Sequence, residues 1–259
     1  HLETRATHDG VILGDDVHAV EISADGEYII TGDDDETIYF FNKDSNEPIW
    51  DYEPNGKVRC VDISSDGYYV VSGSTNNKIH VFDRDSSTPL WSYTTGGHLY
   101  SVRISGDGKY IAVGSNDDKV YLFDRDSSTP LWSKTTGGDI KSVAISADGE
   151  YIIAGSYDDK AYFFDKDSST PLWTYTTGED ARNVALSADG EYIVVTSNDD
   201  NIYFFDKDSG TPLWSYTLGA DARRPSISSD GKYIAVGSTD DKVYAFKNAL
   251  PSRPSIIPY

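Results

Sequence analysis

Apolar and polar positions along this chain change over short runs, and a helical stripe emerges nowhere. Between Asp139 and Thr177 the order of elements is clear. Residues 140–145 read as a short strand, and Asp148-Gly149 marks a two-residue hairpin, because glycine accepts the positive φ that such a turn needs. A second strand follows at 151–155, a turn at 157–160, a third strand at 161–164 and a fourth at 172–175. Pro171 stands just ahead of the fourth strand, which suits an outer edge where the missing N–H costs no ladder bond.

This order recurs every 41 residues: Trp50, Trp91, Trp132, Trp173 and Trp214 keep that spacing. Ser23-Ala24-Asp25-Gly26 returns as Ser-x-Asp-Gly at Ser64, Ser105, Ser146, Ser187 and Ser228, giving six copies. No copy can bury its apolar faces alone, so neighbours must stack on one another. The predicted fold is all-β, a six-bladed propeller of four-stranded antiparallel blades forming one cooperative domain. Its expected extent is 14–247, with 1–13 as a closing segment and 248–259 as a proline-rich tail. Aligning Gly14 with Gly219 sets residues 9–13 over residues 214–218, so the N-terminal segment is expected to supply the sixth blade's fourth strand. Pro251 and Pro254 make the tail the poorer candidate.

The unit Val143-Ala144-Ile145-Ser146-Ala147-Asp148-Gly149, followed by Gly155-Ser156-Tyr157-Asp158 and Phe164-Asp165, resembles the WD-repeat pattern, with Phe-Asp where Trp-Asp is usual. Asp206-Lys207-Asp208-Ser209-Gly210-Thr211-Pro212-Leu213-Trp214 is similar to the tryptophan-docking motif of pyrroloquinoline-quinone-type propeller repeats. The resemblance spans residues 15–246 and implies an indole wedged between adjacent blades. The Gly-His dipeptide of WD repeats survives only at Gly97-His98, so the histidine-anchored network of that family is not expected elsewhere. Read from the residues alone, five Trp at identical register are packing anchors, as are Phe41, Phe82, Phe123, Phe164, Phe205 and Phe246. His80, in the register of Tyr39, Tyr121, Tyr162, Tyr203 and Tyr244, reads as a substituted strand aromatic.

Charge narrows the partners. With 43 acidic against 22 basic residues the formal net charge is -21, a surface that repels nucleic-acid phosphates and anionic lipid headgroups. The single cysteine, Cys60, excludes an intramolecular disulfide framework and reads as buried and inert. No apolar run approaches a membrane span, so direct membrane insertion is not expected and the segment is read as soluble. A chain that begins at His1 and has no Met reads as a processed or excised segment, and its compartment is left open.

Repetition argues against catalysis, which needs unlike groups converging at one place. One Cys and five His give no zinc spacing, and no Ser-His-Asp arrangement or phosphate-binding glycine loop is present. Asp124-x-Asp126, Asp165-x-Asp167 and Asp206-x-Asp208 read as turn caps in preference to calcium loops, and Asp117-Asp118, Asp158-Asp159, Asp199-Asp200 and Asp240-Asp241 as solvated turn residues. No cofactor and no metal are therefore expected.

Positions that vary among the copies are free for binding. One register of the first strand holds His18, Arg59, Tyr100, Lys141, Arg182 and Arg223; two residues earlier stand Asp16, Lys57, His98, Asp139, Asp180 and Asp221. In propellers this strand is innermost, and the family resemblance places these registers, with that of Tyr157, on the top face. The candidate binding residues are His18, Lys57, Arg59, His98, Tyr100, Lys141, Tyr157, Arg182 and Arg223. Asp139, Asp180 and Asp221 are placed to neutralise Lys141, Arg182 and Arg223 within their own blades, whereas Lys57-Arg59 and His98-Tyr100 have no such acid, which favours the second and third blades as the binding edge. The leading reading is a non-catalytic scaffold engaging a protein segment or an anionic ligand. A structural module of a surface or extracellular assembly is the alternative, and a quinone-dependent dehydrogenase, implied only by the docking motif, comes third.

Overall fold

The structure, a computed structural model, describes residues 16–248. Blade 1 comprises β1 (Val17–Ile22), β2 (Tyr28–Asp33), β3 (Ile38–Asn42) and β4 (Trp50–Tyr52); blade 2, β5 (Val58–Ile63), β6 (Tyr69–Ser74), β7 (Lys78–Asp83) and β8 (Trp91–Thr94). Blade 3 follows as β9 (Leu99–Ile104), β10 (Tyr110–Ser115), β11 (Lys119–Asp124) and β12 (Trp132–Thr135), and blade 4 as β13 (Ile140–Ile145), β14 (Tyr151–Ser156), β15 (Lys160–Asp165) and β16 (Trp173–Thr176). Blade 5 is β17 (Ala181–Leu186), β18 (Tyr192–Ser197), β19 (Asn201–Asp206) and β20 (Trp214–Thr217), and blade 6 is β21 (Ala222–Ile227), β22 (Tyr233–Ser238) and β23 (Val243–Lys247). Each sheet is an antiparallel meander in chain order, so the protein is a six-bladed all-β propeller. The expected closing strand in residues 1–13 lies outside the described residues, as does the tail beyond Asn248. Among the described residues no helix is long and apolar enough to cross a membrane.

The Ser-x-Asp-Gly motif is a hairpin device. In blade 4 the Ser146 hydroxyl donates to Asp148 Oδ1 at 2.6 Å and accepts the Tyr151 N–H at 3.0 Å, while Gly149 takes φ +75°. Gly149 is also fixed by close approach: a Cβ there would meet Tyr110 Cδ2 of the preceding blade at 2.4 Å. Turns of successive blades are tied together, the N–H of Ala24, Ser65, Gly106 and Ala147 each donating to the carbonyl of Ser65, Gly106, Ala147 and Ala188 at 2.8–3.1 Å.

Apolar clusters fill the five interfaces from blade 1 to blade 6. The indoles lie between blades as expected: Trp173 stacks on Phe163 of its own blade at 4.9 Å and on Phe205 of the next at 5.1 Å. Nε1 of Trp50, Trp91, Trp132 and Trp173 donates to a carbonyl of the next blade at 2.5–2.9 Å. Trp214 uses Asn248 Oδ1 at 3.0 Å. Only Trp50 is buried, and the other four keep an edge in solvent, because the indole sits at the rim of the disc, where the fourth strand runs.

One expectation is corrected. The first Asp of each Asp-Asp pair is an anchor rather than a solvated turn residue. Asp158 Oδ2 accepts the Tyr162 hydroxyl at 2.5 Å and the Gly137 N–H at 2.8 Å, pinning the link from the preceding blade, and Asp117 and Asp199 do the same with Tyr121 and Gly96, and with Tyr203 and Gly178. The second Asp supplies the positive φ of the turn, +66° at Asp159. Blade 2 has Asn76-Asn77 in place of the Asp-Asp pair and His80 in place of the tyrosine; the His80 ring packs against Tyr52 and its Nδ1 meets Ser92 Oγ at 2.8 Å. His98 is exposed and its side chain takes no part in this network.

The boundary between blades 6 and 1 differs from the other five. Innermost strands run side by side from β1 with β5 through β17 with β21, but the apolar side chains of β1 that face a preceding blade, Val17, Val20 and Ile22, are exposed. On the opposite wall Val243 is 78% exposed, whereas Ile202 at the same register is fully buried. A Cβ at Gly237 would meet nothing nearer than its own blade's Arg223 carbonyl at 3.7 Å, while at Gly114 it would lie 2.6 Å from Ile140 of the next blade. This seam is open among the described residues.

Candidate binding site at the channel mouth

The six innermost strands converge on one central cavity of about 770 Å³. Its wall includes His18, Arg59, Tyr100, Lys141, Arg182 and Arg223, one residue from each blade at a single register, together with Tyr157. They meet because every blade presents its first strand to the axis in the same phase, so a register becomes a ring. Lys57 and His98, two residues earlier in the chain than Arg59 and Tyr100, do not line the cavity wall.

The wall has three unlike sectors. In the first, Asp34 of blade 1 receives His18 Nε2 at 2.8 Å, Lys57 Nζ at 2.8 Å and Arg59 Nη1 at 3.2 Å. The Lys57 hydrogen bond, with His18 and the Arg59 charge, holds the Asp34 carboxyl below the ordinary carboxylate range. In the second, Lys141 Nζ lies 4.3 Å from the Tyr100 ring centroid and 5.3 Å from that of Tyr157, and reaches Asn116 Oδ1 at 2.8 Å and Asp139 Oδ2 at 3.1 Å. The third lies on blades 5 and 6. Arg223 Nη2 pairs with Asp221 at 2.5 Å, but Arg182 makes no ion pair with Asp180. Asp180 instead accepts from Asn198 Nδ2 at 3.2 Å, and Arg182 Nη1 has only Asn198 Oδ1 at 3.4 Å. Burial raises the Asp180 pKa, with the charge of Asp159 adding to it and the Asn198 hydrogen bond and the charge of Arg182 opposing it.

Below the mouth the cavity is crossed by an ion pair between blades 3 and 1, Arg103 Nη1 to Glu21 Oε1 at 3.5 Å. Beside it Asp62 accepts the Ile104 N–H of the neighbouring blade at 2.7 Å. Burial pushes the Asp62 carboxyl up to about 6 against the opposing pull of Arg103. Burial also drives the Cys60 thiol up to about 12, which leaves it protonated and unreactive at neutral pH.

The ion pairs differ from those read along the chain. Blade 2 was expected to offer unneutralised cations, but Asp34 across the blade boundary takes both Lys57 and Arg59. Own-blade neutralisation holds for Lys141 and Arg223 and fails for Arg182. Sequence reasoning also missed Arg224, which lines the cavity beside Arg223 and is exposed. Its signal was legible in Arg224-Pro225, where blade 6 breaks the register that holds Val20, Val61, Val102, Val143 and Val184 in the other blades.

The Asp-x-Asp turns are capped locally, Asp165 Oδ1 accepting the Asp167 N–H at 2.8 Å. Among the described residues no three His, Cys, Asp or Glu converge as metal ligands would. Asp34, Asp139 and Asp221 are each engaged by a cation.

Fold and cavity together define a repeat propeller with a cation- and tyrosine-lined channel mouth. A family model described as outer membrane protein assembly factor BamB, of the PQQ type, matches residues 116–249, just over half of the chain. The chain belongs to this PQQ-type repeat family. The model described as WD domain, G-beta repeat matches residues 6–42, 46–83 and 88–124, so the first blades carry WD repeats. No curated protein matches the chain.

Proposed function

We propose that the protein is a non-catalytic binding propeller that takes a protein segment bearing negative charge into its channel mouth. The observation that supports this reading is the ring itself: a register whose residue type changes among the copies opens onto one cavity, while the registers that pack the blades barely change. Tyr100, Tyr157 and Lys141 offer aromatic faces and a cation in one sector, a combination suited to anchoring a peptide. The guanidinium groups opposite offer charge to an anion that the rest of this acidic molecule repels. The Arg103–Glu21 pair lies below the mouth, so a segment would be received at the mouth rather than drawn through the channel.

The test is fluorescence anisotropy with a fluorescein-labelled Gly-Glu repeat peptide. Binding should weaken as salt rises from about 0.05 M to about 0.5 M, because the Debye length shrinks across that range. Tyr100→Ala with Lys141→Ala should weaken it further without changing the urea midpoint. Absence of binding at low salt, or binding untouched by the double variant, would remove the reading.

A further inference from the structure

Backbone N–H groups on the channel wall need partners. In blades 4 and 5 the N–H of Val143 donates to Ser101 Oγ at 3.0 Å and that of Val184 to Ser142 Oγ at 3.1 Å, each in the preceding blade. Blade 6 has Pro225 at this register and no N–H to give. Asn183, which stands where Ser101 and Ser142 stand, instead accepts the Arg224 N–H through Oδ1 at 3.3 Å. The register shift that the innermost strands of blades 4 and 5 carry falls one residue later in blade 6. Pairing of β21 with β22 is interrupted between Arg223 and Ser226, and Arg224 takes φ +40°, a conformation uncommon for a residue with a side chain and held at some cost. At a register occupied elsewhere by Ala19, Cys60, Ser101, Ser142 and Asn183, blade 6 thus presents an arginine to the cavity.

Charge pairing sets Arg224 and Arg182 apart. Of the basic side chains in the wall, His18, Arg59, Arg103, Lys141 and Arg223 each face a carboxylate within 3.5 Å. Among the described residues Arg182 and Arg224 make no ion pair, and the Asn183 bond to Arg224 N ties their two strands together.

We propose that Arg182 and Arg224 form the carboxylate-binding point of the channel mouth, an inference that rests on the reading of the mouth as a binding site. A guanidinium fork matches the two coplanar oxygens of a carboxylate. A phosphate dianion would meet stronger repulsion from Asp180 and Asp221 on the same two blades and from the net charge of -21. The carboxylate belongs to an acidic side chain or a chain terminus of the bound segment.

The experiment compares anisotropy titrations of labelled Gly-Glu repeat peptide ending in an amide with Gly-Gln repeat peptide ending in a free carboxylate, which separates the two sources. Arg182→Gln with Arg224→Gln should weaken binding by about tenfold or more, as expected for loss of charge-assisted hydrogen bonds. Lys43→Gln with Lys232→Gln, which removes equal charge from exposed sites outside the cavity wall, should weaken it by less than about twofold. Arg182→Lys with Arg224→Lys keeps the charge, removes the fork and should fall between; it also serves if the glutamine pair lowers the urea midpoint. Equal loss in the control and the arginine pair would reduce the effect to a general field and overturn the site. Undiminished binding in both arginine variants would overturn the site and leave the mouth reading standing, whereas no binding by the unaltered protein would end both. Displacement of peptide by inorganic phosphate in preference to glutarate would overturn the carboxylate assignment.

Discussion

Five blades carry valine at the same register of the innermost strand, which makes an internal comparison of one side chain in two settings. Val102 is fully buried in the cluster between blades 2 and 3, and Val20 is 61% exposed at the open seam. Truncation to alanine removes two methyl-sized groups, worth about 1.6 kcal/mol in transfer when fully buried, and a residual cavity raises the cost of Val102→Ala to roughly 2–3 kcal/mol. Val20→Ala leaves solvent where solvent already was and should cost no more than about 0.5 kcal/mol. Urea melts followed by tryptophan fluorescence measure both, provided the slope is unchanged between variants. If Val20→Ala proves as costly as Val102→Ala, the seam is covered in solution and the argument from exposed registers fails.

Two further outcomes follow from buried groups. Burial holds the His80 imidazole neutral, with its pKa lowered to about 4, so the unfolded chain protonates first as pH falls; the associated stability is present above about pH 6.5 and lost down to about pH 4, a difference of about 3 kcal/mol at most. His80→Phe should flatten that part of the stability profile, and parallel profiles for the two proteins would refute the assignment. Cys60, protonated and covered, should react with iodoacetamide only as the protein unfolds, so that labelling of the native protein at the rate of a free thiol would contradict its burial.

The sequence by itself determined the number of blades, the hairpin at each Ser-x-Asp-Gly, the docking of the tryptophans and the membership of the channel ring. It could do so because the whole four-stranded unit repeats every 41 residues: equivalent positions in successive blades share a face, and a register read along the chain is a ring read around the axis. Pairing across blade boundaries followed no such rule. The i,i+2 spacing of Asp139 with Lys141 and of Asp180 with Arg182 looks the same in sequence, yet the second carboxylate is hydrogen-bonded by Asn198 and makes no ion pair with Arg182 among the described residues. Lys57 and Arg59 looked unopposed until blade packing brought Asp34, 23 residues before Lys57, within 2.8 Å of its Nζ. The register shift beside Arg224 goes with Pro225 and with the side chain of Asn183 in the neighbouring blade, and the Arg103–Glu21 pair needed blades 1 and 3 to face one another across the channel. Tertiary structure decided these contacts because a charged or hydrogen-bonding tip selects its partner by distance in space, whereas the chain fixes only which face each side chain leaves from.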